Sequence, residues 1–168
     1  PVTTDLAKLA DYHIKLRPGT NVAILNMMLH FIIKSKLYNK DFVRDRTEGF
    51  DNFIKEIERQ DMDHLAKVAG VDKQLVKEAA IAYATANNSM EFHGLGVTEQ
   101  EQGSKTVMLI ADLAMITGNI GRKGVGVNPL RGQNNVQGAA DMGCQPHQGA
   151  GYYEVADEKI QNFYTEKY

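Results

Sequence analysis

Within the run Asn128-Pro129-Leu130-Arg131-Gly132-Gln133-Asn134-Asn135-Val136-Gln137-Gly138, one arginine stands among amides and glycines with no acid beside it. A guanidinium is a planar fork that matches a carboxylate in bidentate fashion. Asn and Gln amides both donate and accept toward the edge of a nitrogen heterocycle. The run therefore suits a small carboxylate held beside a ring system, or else a polar surface loop, and its composition leaves both open. Upstream lies Gly94-Leu95-Gly96-Val97-Thr98, followed by Gly103. A loose Gly-x-Gly turn of this kind, after a strand, turns backbone N–H groups toward a phosphate. It is not the full dinucleotide fingerprint, because no acidic residue waits at the expected place after a following strand, and alone it is a weak signal.

Other chemistry is sparse. His13, His30, His64, His93 and His147 show no metal-ligand spacing, so each reads as structural. Cys144 is the only cysteine, which excludes an intrachain disulfide and any iron–sulfur cluster held by this chain alone. It reads as a small buried or half-buried residue. There is no nucleophile–base pair, no catalytic carboxylate pair and no Walker loop, and no metal ligand is expected among these residues.

The loops need elements to position them. Val22, Leu25, Met28, Leu29, Ile32 and Ile33 follow helical spacing, and Ile24, Met27 and Phe31 make the other face apolar too. The spacing predicts a helix from Asn21, capped by itself or by Thr20, to about Leu37, buried on several sides. Asp41, Asp51 and Asp63 open short helices, and Asp72 is an N-cap for a helix to about Ala86. Alternation over about Asp11–Leu16 reads as one strand and Met90–Leu95 as a second. Gly103-Ser104 leads into a helix from Lys105 to Thr117, with Gly118 as its left-handed stop. Ile120–Val127 reads as loop, 135–142 as a short helix and Tyr153–Tyr168 as a polar helix.

The hydrophobic share of 43% supplies a core, and the net charge of −2, without a basic run, argues against nucleic acid or an anionic membrane as partner. The longest apolar stretch, Val107–Ile116, is broken by Asp112 and is too short to span a bilayer. No secretory signal opens the chain, so the expected compartment is the cytoplasm. The start at Pro1 and the unpunctuated end point to an internal piece of a longer protein. Glycine is uneven: Gly19, Gly49 and Gly70 precede residue 90, and the other twelve of the 15 fall between Gly94 and Gly151.

Taken together, Gly94–Thr98, the run Ala111-Asp112-Leu113-Ala114-Met115-Ile116-Thr117-Gly118-Asn119-Ile120-Gly121, and Gly126–Ala139 with Asp141-Met142-Gly143 resemble the catalytic alpha subunit of molybdopterin-dependent formate dehydrogenases. Leu16–Thr20 and Arg46–Phe50 also look like that family, so the resemblance covers nearly the whole chain. Its specific part is Asn128–Gly138. Nitrate reductases keep the Leu-x-Thr-Gly-Asn-type helix end but do not usually keep this arginine in this setting.

The resemblance implies a parent enzyme with two molybdopterin guanine dinucleotides holding Mo or W, and a 4Fe–4S cluster ligated only in an N-terminal part outside these residues. Formate is the implied substrate, oxidised to CO2, with electrons passing to partner subunits or an acceptor. It maps the substrate-facing arginine onto Arg131 and cofactor contacts onto Leu95, Gly96, Glu99 and Gln133. Two departures stand out: Glu99 replaces the Gln or His of many relatives, and Ala140 replaces a Cys. The metal-ligating Cys–His pair is absent, so the piece alone is expected to be inactive. The alternatives are another molybdopterin oxidoreductase, or a non-catalytic relative in a respiratory complex.

The expected fold class is α/β, a partial Rossmann-like parallel sheet flanked by helices. Residues 1–168 are read as a single domain fragment with a helix-rich part (1–88), a Gly-rich cofactor-contacting part (89–151) and a terminal helix (152–168).

Overall fold

A computed structural model describes residues 2–167. The chain forms two compact units, one ending at Leu130 and the other beginning at Arg131. The first holds helices α1 (Asp5–Leu9), α2 (Asn21–Lys34), α3 (Lys40–Arg46), α4 (Phe50–Glu58), α5 (Met62–Ala69) and α6 (Lys73–Thr85), followed by strand β1 (Met90–His93), helices α7 (Leu95–Thr98) and α8 (Gly103–Thr117), and strand β2 (Gly126–Pro129). The described chain is thus mostly helical, with a two-stranded parallel sheet.

Helix α2 is the hub. Its residues Leu29, Ile32 and Ile33 join Val43, Ile57, Ala80, Leu113 and Ile116 in one buried cluster. Its residues Ala23, Ile24 and Met27 join Ala66, Ala69 and Val76 in another. A helix apolar on all sides has no face to give to water, so it is covered by α4, α5, α6 and α8. Leu29 is fully buried. Leu29→Ala should therefore lower the unfolding free energy by about 3 kcal/mol, through lost burial plus a residual cavity. Urea denaturation of the chain checks this, and a change under about 1 kcal/mol would deny α2 its central place.

Helix ends follow local chemistry. Asp72 accepts from the Gln74 N–H at the start of α6, as its spacing predicts. Gly118 ends α8 at φ 70°, and a Cβ there would stand 2.7 Å from the Asn39 amide. Three helix starts fall earlier than expected, α4 beginning at Phe50 after Gly49 rather than at Asp51. Asn39 rather than Asp41 caps α3, and Asp61 rather than Asp63 caps α5, because those side chains stand outside the helix and can accept its free N–H groups.

The strand expected at Asp11–Leu16 is absent. Ile14 and Leu16 do point alternately inward, against the α5–α6 cluster. The backbone, however, finds a helix end rather than a strand: the Arg17 N–H donates to the Ala69 carbonyl at 2.9 Å, and the Arg17 guanidinium donates to the Lys67 and Val68 carbonyls. The second strand instead lies at Gly126–Pro129, partly inside a stretch that reads as loop. It pairs with β1 in parallel register, Met90 opposite Gly126 and His93 opposite Pro129. Gly, Asn and Pro carry little strand propensity, so tertiary pairing decided this element. β1, α8 and β2 together form a strand–helix–strand crossover, with α8 packed on both strands.

The second unit contains α9 (Val136–Asp141), a 3-10 turn at Ala150–Tyr152 and α10 (Glu158–Lys167). Asp157 accepts from the Lys159 N–H at the start of α10.

Candidate functional site

The glycine turn after β1 is a single helical turn, α7. The N–H groups of Val97 and Thr98 donate to the Gly94 carbonyl, and that of Glu99 to the Leu95 carbonyl. Gly103 is where this turn meets α8, and a Cβ on it would lie 2.2 Å from the Thr98 oxygen. Gly96 differs: a Cβ there would meet nothing within 4 Å.

Gly96 opens on a cleft of about 290 Å³ that it lines with Leu16, Pro18, Gly19, Asn21 and Gln100. The volume is just under the roughly 300–1,000 Å³ of a complete small-molecule pocket, enough for part of a dinucleotide-sized group. Two segments singled out by resemblance, Leu16–Thr20 and Gly94–Thr98, thus meet in one cavity. Asn21 begins α2, whose first turn has no acidic residue and no side-chain cap bond. Thr20, a candidate cap, instead turns its hydroxyl to the Arg17 carbonyl at 2.7 Å. The positive end of α2 is left unneutralised at the cleft wall, beside amides at Asn21 and Gln100 and no charged side chain. That donor set fits the phosphate and heterocycle edges of a nucleotide-type group. Leu95 is partly exposed, and Glu99 is exposed with no side-chain hydrogen bond or ion pair among the described residues.

In the second unit, Arg131 and Gln133 are exposed and make no hydrogen bond or ion pair among the described residues. The Tyr152 hydroxyl donates to Asp141 and accepts from Gln137 at 2.7 Å. The Asp141 carboxylate pushes the Tyr152 hydroxyl above its ordinary range, and the Arg131 charge acts against that rise. Arg131 is therefore a solvated guanidinium with no protein anion of its own. Cys144 is exposed, not buried or half-buried as its small size suggested, because it ends the turn after α9 rather than joining a core. Among the described residues no group of three or more His, Cys, Asp or Glu side chains could hold a metal, and no helix is long and apolar enough to cross a membrane.

A buried polar face that the sequence did not flag lies on β1. The Tyr83 hydroxyl donates to Glu91 Oε1. Burial raises the Glu91 carboxyl above its usual range, with the Tyr83 bond partly opposing it, and burial with Glu91 raises the Tyr83 hydroxyl. A carboxyl whose folded-state pKa is raised costs no stability below its unfolded value of about 4.3 and costs progressively more as pH rises through the folded value. Glu91→Gln keeps an acceptor for Tyr83 but does not titrate. Its stability relative to wild type should grow between those two values and then plateau. Urea denaturation across a pH series tests this, and a pH-independent difference would contradict it.

Residues 1–165 match the molybdopterin oxidoreductase family, and the chain belongs to it. It is 46% identical over 157 residues to the F420-dependent formate dehydrogenase subunit alpha of Methanocaldococcus jannaschii, covering 94% of this chain and 23% of that protein. Formate dehydrogenase H of Escherichia coli is 45% identical over 157 residues, again 94% of this chain and 22% of that one. The assimilatory nitrate reductase catalytic subunit of Bacillus subtilis is 32% identical over 159 residues, 95% of this chain and 22% of that protein. Among solved structures, acetylene hydratase from Pelobacter acetylenicus superposes with a TM-score of 0.67 at 27% identity, covering 72% of this chain and 17% of that one. The chain spans about a quarter of the length of the relatives it matches.

Proposed function

We propose that this chain is the part of a formate dehydrogenase catalytic subunit that cradles a molybdopterin guanine dinucleotide and orients formate. The observation that carries the reading is Arg131, an uncompensated guanidinium in a run of amides and glycines. Similar proteins are named for nitrate reduction and acetylene hydration, so the fold serves other substrates and the assignment rests on the site rather than on the fold. Identities of 42–46% to formate dehydrogenase alpha subunits support formate over those alternatives.

In this reading Arg131 neutralises formate and holds its two oxygens in a fork, so that the C–H bond has one direction to face. Gln133 contacts the pterin, and Leu95, Gly96 and Glu99 contact a guanine dinucleotide at the cleft beside α2. Glu99 can serve only through its backbone where a phosphate is near, since its carboxylate would repel one. The bound Mo or W cofactor supplies the two-electron redox chemistry, and the electrons leave to partner subunits or an acceptor.

We also propose that the two strands belong to a larger Rossmann-like α/β sheet in the parent. Met90 and Phe92 are exposed on the face of β1 opposite the buried one. Parallel sheets are covered on both faces, which fits further helices from outside these residues. The deciding experiment is metal and pterin analysis of the full-length protein with a formate-dependent dye-reduction assay. Stoichiometric cofactor with no formate-dependent reduction would overturn the substrate, and absence of pterin would overturn the cofactor.

A further inference from the structure

Strand β1 carries its polar residues inward. Met90 and Phe92 are exposed, whereas Glu91 is half-buried and His93 is 7% exposed. Alternate strand residues share a face, so Glu91 and His93 stand side by side on the inner one. Glu91 Oε2 and His93 Nδ1 are also the buried side-chain atoms that find no hydrogen-bond partner among the described residues. Atoms so placed need a partner, commonly an ordered water. One water making two hydrogen bonds of about 2.8 Å each spans at most about 5.6 Å, less than the roughly 6.6 Å between alternate Cα atoms of a strand, so the two side-chain ends must incline toward each other for one water to serve both.

His93 also occupies a junction. Its carbonyl accepts from the Leu130 N–H at 2.6 Å, and the chain passes from it directly into Gly94 and α7. A Cβ on Gly94 would stand 3.4 Å from the Leu130 oxygen, so these two segments are closely packed. Leu130 is the residue before Arg131. The His93 peptide therefore anchors both the glycine turn and the chain leaving β2 at Leu130.

We propose that one ordered water bridges Glu91 Oε2 and His93 Nδ1, and that His93 through this water is a positioning residue for the glycine turn and for Leu130, which the His93 carbonyl holds. The positioning role rests on the formate reading; the water does not. In the full-length enzyme, His93→Asn sets an amide near the Nδ1 position, whereas the amide of His93→Gln reaches toward the Nε2 position. His93→Asn is expected to keep the wild-type melting temperature and a formate KM within about twofold. His93→Gln should melt several degrees lower and raise the KM about tenfold, with kcat less affected and metal content unchanged. A crystal structure of the full-length enzyme should show a water peak in hydrogen-bonding range of both atoms. Equal behaviour of the two variants, an empty gap, or a side chain from elsewhere in the protein filling it would overturn the proposal. A wild type that ignores formate but shows the water and the Asn-over-Gln melting order sinks the substrate reading alone.

Discussion

Arg131→Lys in the full-length enzyme should lower formate kcat/KM by about 10²–10³-fold while metal and pterin content stay at wild-type levels. Lysine keeps the positive charge but replaces a planar fork by a point donor, so it can neutralise formate without fixing its orientation. A loss of that size corresponds to about 3–4 kcal/mol of barrier, the scale at which preorganised donors act on a reacting anion. Arg131 makes no hydrogen bond or ion pair among the described residues. Its removal should therefore leave the fold of the second unit untouched, which unchanged far-ultraviolet circular dichroism would register. Wild-type kinetics in the variant would take Arg131 out of the mechanism.

Gly103→Ala should destabilise the chain by about 3 kcal/mol and lower its melting midpoint by about 6–12 °C. The added methyl would stand 2.2 Å from the Thr98 oxygen and 2.9 Å from its carbonyl carbon. Both are backbone atoms and cannot swing aside, so α7 and α8 must part. Gly96→Ala is the matched control, since a Cβ there meets nothing within 4 Å. That variant should melt with wild type, yet in the full-length enzyme it should lower pterin content several-fold if the cofactor comes close at Gly96. Thermal melts of both variants with pterin analysis separate the two effects. Equal melting of Gly103→Ala and wild type would mean that α7 does not pack on α8 as described.

Much of this protein was legible in its residues because the deciding interactions are local. The wrap-around apolar pattern of α2, the Asp72 cap and the left-handed Gly118 stop each depend on groups within a few positions in sequence, so spacing alone announces them. The family was legible too, through the run from Asn128 to Gly138 and its neighbours.

What sequence could not settle were the long-range choices. The alternation at Asp11–Leu16 is genuine, but whether a backbone pairs with a strand or with the end of α5 depends on what lies beside it. β2 has almost no strand propensity and exists because β1 is there to pair with. The cleft joining Leu16–Asn21 to Gly96 and Gln100 brings together residues some eighty positions apart. The inward-facing Glu91 and His93 likewise depend on which face of β1 the helices cover. Local hydrogen bonding and periodicity write the elements into the chain; burial, pairing and the shape of a cavity arise only when distant segments are packed together.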